Sequence, residues 1–249
     1  MVLRLLKRKK DVVGPRGRKA SIPEGERVYA IGDIHGRADL FDALLAKIEA
    51  DDTARGNAET TLILLGDLVD RGPDSRGVVE RAMKLGATRG NVRFLAGNHE
   101  EVFLEAVRSP SKEVARFFYR IGGPETVMSY GLSEEEMNAL DHAELAQRIP
   151  QVVPEEHAAF IEAFEDSIAI GDYLFVHAGV KPDVPLDSQK ARHLRWIREE
   201  FLDHKGRLDK LVVHGHTISE EVEERGHRIG IDTGAWESGK LTAIGLEGT

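Results

Sequence analysis

The chain has 249 residues, of which 41% are hydrophobic and 31% are charged, and it contains no cysteine. This length and composition suit one large domain with a sizeable core. The lack of cysteine excludes disulfides, thiolate metal sites and cysteine nucleophiles. No apolar run is long enough to cross a membrane, so we expect a soluble, cytoplasmic α/β protein. The formal net charge of −9 argues against a nucleic-acid partner, because a phosphate backbone requires a basic face.

Positive charge is concentrated at the N-terminus. Residues 1–20 contain eight Lys or Arg residues and a single acidic residue. A secretory signal would place its basic residues before a longer apolar stretch. The pattern therefore predicts a basic, disordered tail over residues 1–24, and weak contact of this tail with an anionic surface is the alternative interpretation.

Short apolar runs alternate with amphipathic stretches along the rest of the chain, which is typical of an α/β fold. In chain order they predict strands over 28–31, 61–65, 92–96, 173–176, 211–213, 228–231 and 241–246, and helices over 39–50 and 76–85. The segment 101–165 is mostly helical in pattern, with breaks predicted at 122–124 and 150–154. We expect one domain over residues 25–249, with 101–165 as a helical cap or insertion.

Polar side chains that can bind a metal follow five of the predicted strands. They are Asp33, His35, Asp67, Asp70, Asn98, His99, His177, His214 and His216, and Arg71 lies among them. Strands of an open α/β sheet present functional groups beyond their carboxyl ends, so we expect these side chains to lie close together. Oxygen and imidazole donors without sulfur suit manganese, iron or zinc. The set is large enough for two ions bridged by a carboxylate, which is the arrangement used for in-line displacement at phosphorus.

Five segments resemble the signature segments of the phosphoprotein phosphatase family, a branch of the calcineurin-like metallophosphoesterases. They are Gly32-Asp33-Ile34-His35-Gly36, Gly66-Asp67-Leu68-Val69-Asp70-Arg71-Gly72, Gly97-Asn98-His99-Glu100, His177-Ala178-Gly179 and Gly215-His216-Thr217. Residues 122–123, 129–131 and 231–235 are similar to segments of the bacterial serine/threonine phosphatases. The resemblance spans residues 27–246. It implies a metallophosphoesterase catalytic domain in which helices flank two packed mixed β-sheets, an α/β/β/α sandwich.

The resemblance also implies a metal-binding role for each matching residue. One divalent ion would be held by Asp33, His35 and Asp67, and the second by Asp67, Asn98, His177 and His216. Asp67 would then be the bridging carboxylate. Two Mn²⁺ ions are the expected cofactors, with iron or zinc as alternatives. His214 matches no ligand of the family and is interpreted as structural.

Catalytic roles follow from the same resemblance. His99 is expected to be the general acid and Asp70 its partner, because a carboxylate beside an imidazole raises the pKa of the imidazole and fixes its tautomer. Arg71 and Arg198 are expected to hold the phosphoryl oxygens, since a guanidinium presents a bidentate fork. Asn98 would contact the substrate as well as the metal.

The function implied is hydrolysis of phosphoserine and phosphothreonine in proteins, by in-line attack of a metal-bound hydroxide on a phosphoprotein or phosphopeptide substrate. The alternative is a symmetrical diadenosine tetraphosphate hydrolase of the same fold. The presence of Asp70 and of Gly215-His216-Thr217 favours the phosphatase, because those hydrolases differ at both places. A non-catalytic binding scaffold is a third hypothesis, and the presence of every expected ligand argues against it.

Overall fold

The first of two β-sheets contains both ends of the chain that the structure describes. A computed structural model describes residues 2–5, as backbone, and residues 19–248. The strands of this sheet are β1 (Val2–Leu5), β2 (Glu26–Ile31), β3 (Glu59–Leu64), β4 (Val92–Phe94) and β10 (Thr242–Glu247). Their order is β1-β10-β2-β3-β4. β10 and β2 are antiparallel, and the other neighbours are parallel.

The second sheet is formed by strands from the later half of the chain. They are β5 (Ser167–Ile170), β6 (Tyr173–Val176), β7 (Leu211–His214), β8 (Glu223–Arg225) and β9 (Arg228–Gly230). Their order is β5-β6-β7-β9-β8, with parallel pairing in the centre and antiparallel pairing at both edges.

Eleven α-helices lie in the described part of the chain. They are α1 (Ala38–Arg55), α2 (Ser75–Thr88), α3 (Asn98–Arg108), α4 (Lys112–Ile121), α5 (Gly123–Ser129), α6 (Glu134–Ala139), α7 (His142–Val152), α8 (Glu155–Glu162), α9 (Ala191–Trp196), α10 (Glu199–Leu202) and α11 (Ala235–Ser238). A search of these helices finds none that is both long and apolar enough to span a bilayer.

Alternating residues of β2 connect the layers of the fold. Tyr29 packs in one core cluster with Phe41 of α1, whereas Val28 packs in a second cluster with Phe175 of β6. Successive side chains of a strand point to opposite faces of its sheet, so β2 is buried on both sides. The other face of the second sheet packs against α9 through Leu194. The result is the predicted sandwich of two mixed sheets between helical layers.

All seven predicted strands are present, with ends that shift by at most two residues. The three strands that the sequence did not predict, β1, β5 and β8, each lie at the edge of a sheet. An edge strand pairs on one side only and needs less apolar sequence. β8, for example, is Glu223-Glu224-Arg225, and charged residues on an edge hinder pairing with another chain.

The segment 101–165 is helical, with one difference from the predicted pattern. Six helices, α3 to α8, run from Asn98 to Glu162 and share one core cluster with α1 and α2. Gly122 ends α4 in a left-handed conformation, as the predicted break requires. The break predicted at 150–154 begins later than expected, because α7 continues through Pro150 to Val152 and only residues 153–154 separate it from α8. The missing N–H costs only one hydrogen bond of the last turn, and the buried Ile149 anchors that turn in the core.

The predicted N-terminal tail is only partly described. Val2–Leu5 forms a strand, and Ala20 and Ile22 are buried in the core, so these parts differ from the disordered segment expected over 1–24. The amide of Ile22 donates to the carbonyl of Gly248 at 3.0 Å, which fixes this segment beside the last strand. Most of the basic residues lie in 6–18, outside the described residues, and disorder there stays a prediction.

Candidate metal centre

The carboxyl ends of the strands bring the predicted ligands into one region. Asp33 follows β2, Asp67 follows β3, Asn98 begins α3 directly after β4, His177 follows β6 and His216 follows β7. All five are at least nine-tenths buried. The loops after the strands of both sheets therefore converge on a single polar site between them.

The backbone of the site adopts conformations that are rare for residues other than glycine. Five of its residues have φ between +45° and +71°, namely His35, Asp67, Asp70, Arg71 and His216. Only one other described non-glycine residue, Asp183, has a positive φ. A left-handed conformation at a non-glycine residue costs of order 1–3 kcal/mol and persists only where the surroundings enforce it. The fold thus maintains strained backbone conformations in the loops that carry the polar side chains.

Two glycines of the motifs allow carboxylates to approach the backbone. A Cβ atom added at Gly215 would lie 2.0 Å from Asp33 Oδ1, and one added at Gly97 would lie 2.1 Å from Asp67 Oδ1. These positions accept no side chain without displacing a carboxylate. The amide of His216 donates to the Asp33 carboxylate at 3.0 Å.

One cluster of donors surrounds Nε2 of His177. This nitrogen lies 3.0 Å from Asn98 Oδ1, 3.2 Å from His216 Nδ1 and 3.4 Å from Asp67 Oδ1. The other ring nitrogen, Nδ1, donates to the carbonyl of Leu65 at 2.8 Å. In the neutral ring Nε2 therefore carries a lone pair, which faces the oxygens of Asn98 and Asp67. Burial lowers the pKa of His177 and lowers that of His216 to about 2, which keeps both rings neutral. Converging lone pairs of this kind fit a divalent cation.

A second cluster lies on the other side of Asp67. Its Oδ2 is 3.5 Å from His35 Nε2 and 3.9 Å from His99 Nε2, and ligand atoms of the three residues lie within 4.8 Å of one another. His35 Nδ1 is bonded to the carbonyl of Val69 at 2.8 Å, so its Nε2 also presents a lone pair in the neutral ring. Burial raises the pKa of Asp67, but the surrounding imidazoles, His177 first, outweigh burial and hold it below its usual range.

Asp33 is not a member of either close cluster. Burial raises its pKa well above the usual range, and the negative charges of Asp232 and Asp67 add to the effect. A nearby cation would stabilise the charged form of a buried carboxylate whose pKa is raised in this way. The residues present therefore fit two divalent ions that share Asp67, with the Asp33 carboxylate held nearby by the amide of His216.

His99 is hydrogen-bonded to Asp70, which is in turn hydrogen-bonded to residues of α2 and α5. His99 Nδ1 donates to Asp70 Oδ2 at 2.7 Å, and the hydroxyl of Thr126 donates to the other carboxylate oxygen at 2.7 Å. The amide of Asp70 donates to the hydroxyls of Thr126 and Ser75, at 2.8 and 3.0 Å. Burial lowers the pKa of His99, but the Asp67 and Asp70 carboxylates outweigh burial and raise it. This is the geometry expected of an oriented imidazole.

The two predicted arginines differ in position. Arg71 is half-buried and donates to both His35 Nε2, at 3.1 Å, and His99 Nε2, at 2.9 Å. Arg198 is exposed at the start of α10. After burial and the neighbouring His177, the charge of Arg198 contributes to the lowered pKa of His216, so Arg198 lies within electrostatic reach of the site. The nearby Arg195 forms ion pairs with Glu101 and Asp166 instead.

Glu100 is a site residue for which the sequence predicted no role. It is fully buried and accepts the backbone amides of Asp67 and Leu68 at 2.7 Å and of Gly97 at 2.9 Å. Burial raises its pKa to about 7, against the effect of these three donors. The available signal was its place three residues after Gly97, where a capping Glu reaches back to the start of a helix.

His214 lies outside both donor clusters. Its Nδ1 is bonded to the carbonyl of Gly215 at 3.0 Å, and its Nε2 is 3.3 Å from Arg228 Nη1. Burial lowers its pKa to about 3. This position is consistent with the structural role that the sequence predicted.

Comparison with known proteins identifies the family. Residues 26–237 match the family described as calcineurin-like phosphoesterase. The chain belongs to that family. A symmetrical bis(5'-nucleosyl)-tetraphosphatase of Acidovorax sp. (strain JS42) is 31% identical over 191 residues, which cover 74% of this chain and 51% of the relative. The chain thus spans about half the length of that relative.

Other relatives match over more of their length. An asymmetrical bis(5'-nucleosyl)-tetraphosphatase, PrpE, of Bacillus velezensis (strain DSM 23117 / BGSC 10A6 / LMG 26770 / FZB42) is 30% identical over 238 residues and 86% of each chain. Among solved structures, a candidate diadenosine tetraphosphatase superposes with a TM-score of 0.61 at 22% identity, covering 98% of this chain and 92% of that one. A cold-active protein tyrosine phosphatase superposes with a TM-score of 0.52 at 19% identity, covering 91% and 77%. Both structural likenesses concern the fold.

These relatives overturn the predicted substrate. The matching relatives are named as dinucleoside tetraphosphatases, so the assignment to the serine/threonine protein phosphatase branch, with a phosphoprotein substrate, is wrong. The misleading residues were Asp70 and the segment 215–217. Asp70 is hydrogen-bonded to His99, and the loop at 215–217 carries His216 beside His177, so neither feature by itself distinguishes the two classes of substrate.

Proposed function

We propose that the chain hydrolyses bis(5'-nucleosyl) tetraphosphates at a centre of two divalent ions, with Mn²⁺ as the metal. The observation that carries this proposal is the position of Asp67. Its Oδ1 lies 3.4 Å from His177 Nε2, and its Oδ2 lies 3.5 Å from His35 Nε2. A carboxylate whose two oxygens face separate imidazole clusters is suited to bridge two ions. The names of the relatives supply the substrate class.

The proposed ligands are distributed between the two clusters. One ion would be held by Asp33, His35 and Asp67, and the other by Asp67, Asn98, His177 and His216. When bound, the ions supply the positive charge that activates water and stabilises in-line displacement at phosphorus. The left-handed conformations of Asp67 and His216 fix the direction of their side chains before any ligand arrives.

Arg71 and Arg198 would position the phosphoryl group. Arg71 bridges His35 and His99, so a phosphoryl oxygen bound to its guanidinium would lie between the two imidazoles. Arg198, exposed on the side of His216, would hold a second oxygen or the neighbouring phosphate of the chain. Asn98 would contact the substrate from the start of α3.

His99, oriented by Asp70, would donate the proton to the leaving oxygen. The leaving group of a tetraphosphate is itself a phosphate, whose second pKa is about 6. It therefore needs less protonation than a serine or threonine alkoxide. We expect His99→Asn to lower kcat towards the lower end of the usual range for general acids, about 10²-fold, with both metals still bound.

Product analysis tests the proposal. The metal-loaded protein is incubated with diadenosine tetraphosphate and Mn²⁺, and the nucleotides are separated by chromatography. Two ADP molecules per substrate indicate symmetrical cleavage, whereas ATP and AMP indicate asymmetrical cleavage. Bound manganese is measured in parallel, and we expect two equivalents per chain.

Asp67→Asn should abolish turnover and lower the bound metal, because Asp67 contributes to both clusters. Asp183→Asn is the matched control, since Asp183 is exposed and also has a positive φ, which asparagine tolerates. A protein that binds two Mn²⁺ ions but leaves the tetraphosphate intact would overturn the proposed function. Full turnover in Asp67→Asn would overturn the bridging role.

A further inference from the structure

A cavity of about 1060 Å³ lies against the second sheet, beside the loop that carries His216. His214, at the end of β7, lines it before the ligand, and Thr217, Ile218 and Ser219 line it after the ligand. The rest of the wall comes from residues 202–207 and from β8 and β9 with their turn. We call this cavity the cationic pocket, defined by Lys205, Arg207, His214, Thr217, Arg225 and Arg228.

The charge of the pocket is opposite to that of the protein. Four Lys or Arg residues line it, against Asp203 and Glu223, in a chain whose formal net charge is −9. Lys205 and Arg207 are exposed, and neither forms an ion pair among residues 19–248. Excess positive charge in a concave site raises the local concentration of anions.

Arg228 supplies the buried part of the pocket. The residue is 5% exposed, and its Nη2 donates to Glu223 Oε2 at 2.7 Å. Arg225 takes the other oxygen of the same carboxylate, so one acidic group serves two guanidinium groups. Within the described residues, Arg228 Nε is buried without a hydrogen-bond partner, and so is the hydroxyl of Thr217. Buried polar groups nearly always have partners, and here two unpartnered ones belong to the wall of one cavity.

We propose that the cationic pocket is a second anion-binding site, which takes a phosphoryl group of a nucleotide or of free phosphate. Guanidinium groups bind phosphate oxygens in a planar, bidentate arrangement, which the exposed Arg207 is free to adopt. The buried Nε–H of Arg228 is an additional unpartnered donor in the wall. The volume is of the size that binds small molecules. The exposed Ile218 and the ring of His204 at the wall provide apolar surface that suits a nucleobase.

The pocket is adjacent to the metal centre but separate from it. His214 and Thr217 belong to the pocket, and His216 between them belongs to the donor cluster of His177. The pocket contains none of the residues to which we assign metal binding or proton transfer. The inference therefore does not depend on which phosphoester or phosphoanhydride the centre hydrolyses.

Calorimetric titration of the full metal-loaded chain with ADP, and separately with inorganic phosphate, tests the inference. The Arg71→Ala variant is used as the background, because it weakens anion binding at the metal centre. In that background we expect the double variant Lys205→Ala/Arg207→Ala to bind ADP at least about tenfold more weakly, since it loses two charged donors. Arg228→Lys should weaken binding similarly while keeping the pair with Glu223.

A charge-matched control is Lys84→Ala/Arg116→Ala, two exposed residues of α2 and α4 that do not line the pocket. It should bind ADP within about twofold of the background protein. Phosphate bound with the same dependence on Lys205 and Arg207 supports a phosphoryl site, and ADP bound alone supports a nucleotide site. Equal affinities in the pocket and control variants would overturn the inference, and so would loss of all ADP binding in Arg71→Ala.

Discussion

Glu100→Gln tests whether one buried carboxylate stabilises the loops of the site. In the native protein Oε2 of Glu100 accepts the amides of Asp67 and Gly97, and Oε1 accepts the amide of Leu68. Glutamine has one carbonyl oxygen, which can keep the first pair of bonds. Its amide group would then point a donor at the Leu68 N–H.

The magnitude follows from these three bonds. An unsatisfied buried N–H costs about 1–3 kcal/mol, and the two remaining bonds become neutral rather than charge-assisted, which weakens each by about 1 kcal/mol. Glutamine also avoids the desolvation cost that raises the pKa of the Glu100 carboxyl to about 7, and this offsets part of the loss, so we expect Glu100→Gln to lower the free energy of unfolding by about 1–3 kcal/mol. That is a large share of the about 5–15 kcal/mol by which native domains are stable.

Urea denaturation measures this loss. The protein is stripped of metal with a chelator so that ligand binding does not contribute to stability, and the pH is held at 8, above the pKa of about 7 of Glu100. Glu105→Gln, an exposed position on the same helix, is the matched control and should change stability by less than about 0.5 kcal/mol. A Glu100→Gln variant as stable as this control would refute the role assigned to the carboxylate.

Two further predictions concern a glycine and a histidine outside the ligand set. In urea denaturation, Gly36→Ala should lower the free energy of unfolding by at least about 2 kcal/mol more than Gly25→Ala. Both glycines have positive φ, but only at Gly36 would the new Cβ lie 2.6 Å from a backbone oxygen, whereas the Cβ at Gly25 would lie in open space. Equal losses of stability in the two variants would exclude the close approach as the cause. His157 Nδ1 lies 2.9 Å from the hydroxyl of Tyr130, and burial lowers the pKa of this histidine. The contribution of neutral His157 to stability is therefore complete above the unfolded-state pKa of about 6.5, and it is lost as the pH falls towards the lower pKa of the folded state. His157→Asn keeps an acceptor without a titrating ring, so its stability should fall less than that of the wild type between pH 7 and 5, and parallel curves would contradict this.

The sequence predicted the buried strands better than the edges of the sheets. β7, nearly all of β2 and the second half of β3 are buried on both faces, and that burial accounts for the continuous apolar runs that mark them. The sequence of β8 has no such apolar run, because this charged edge strand pairs with a single neighbour, β9. Ala20 and Ile22 were missed for a related reason. Two apolar residues next to a basic run carry no periodicity, and only the tertiary fold places them in the core.

The donor residues of the site were also predictable, whereas their supporting contacts were not. Asp67 and His177 follow strands, and the fixed geometry of a sheet edge brings such residues together. Glu100 and Thr126 act through contacts that depend on how α3 and α5 pack, which no short motif encodes. Thr126 is 56 residues from Asp70 in sequence and yet holds its carboxylate at 2.7 Å.

The choice between a phosphoprotein and a dinucleotide illustrates the same limit at the level of function. The residues of the matched motifs to which we assign roles would meet the metals, the phosphoryl oxygens or the leaving oxygen, directly or through a neighbour, and both substrates share those three features. A tetraphosphate differs in its additional phosphates and its second nucleoside, which must extend beyond the centre. The exposed Arg198 and the cationic pocket beside His216 are positive surfaces near this region, and neither Arg198 nor the four basic residues of the pocket belong to a signature segment. Substrate choice in this family is therefore better sought in charged surfaces around the centre than in the ligand set.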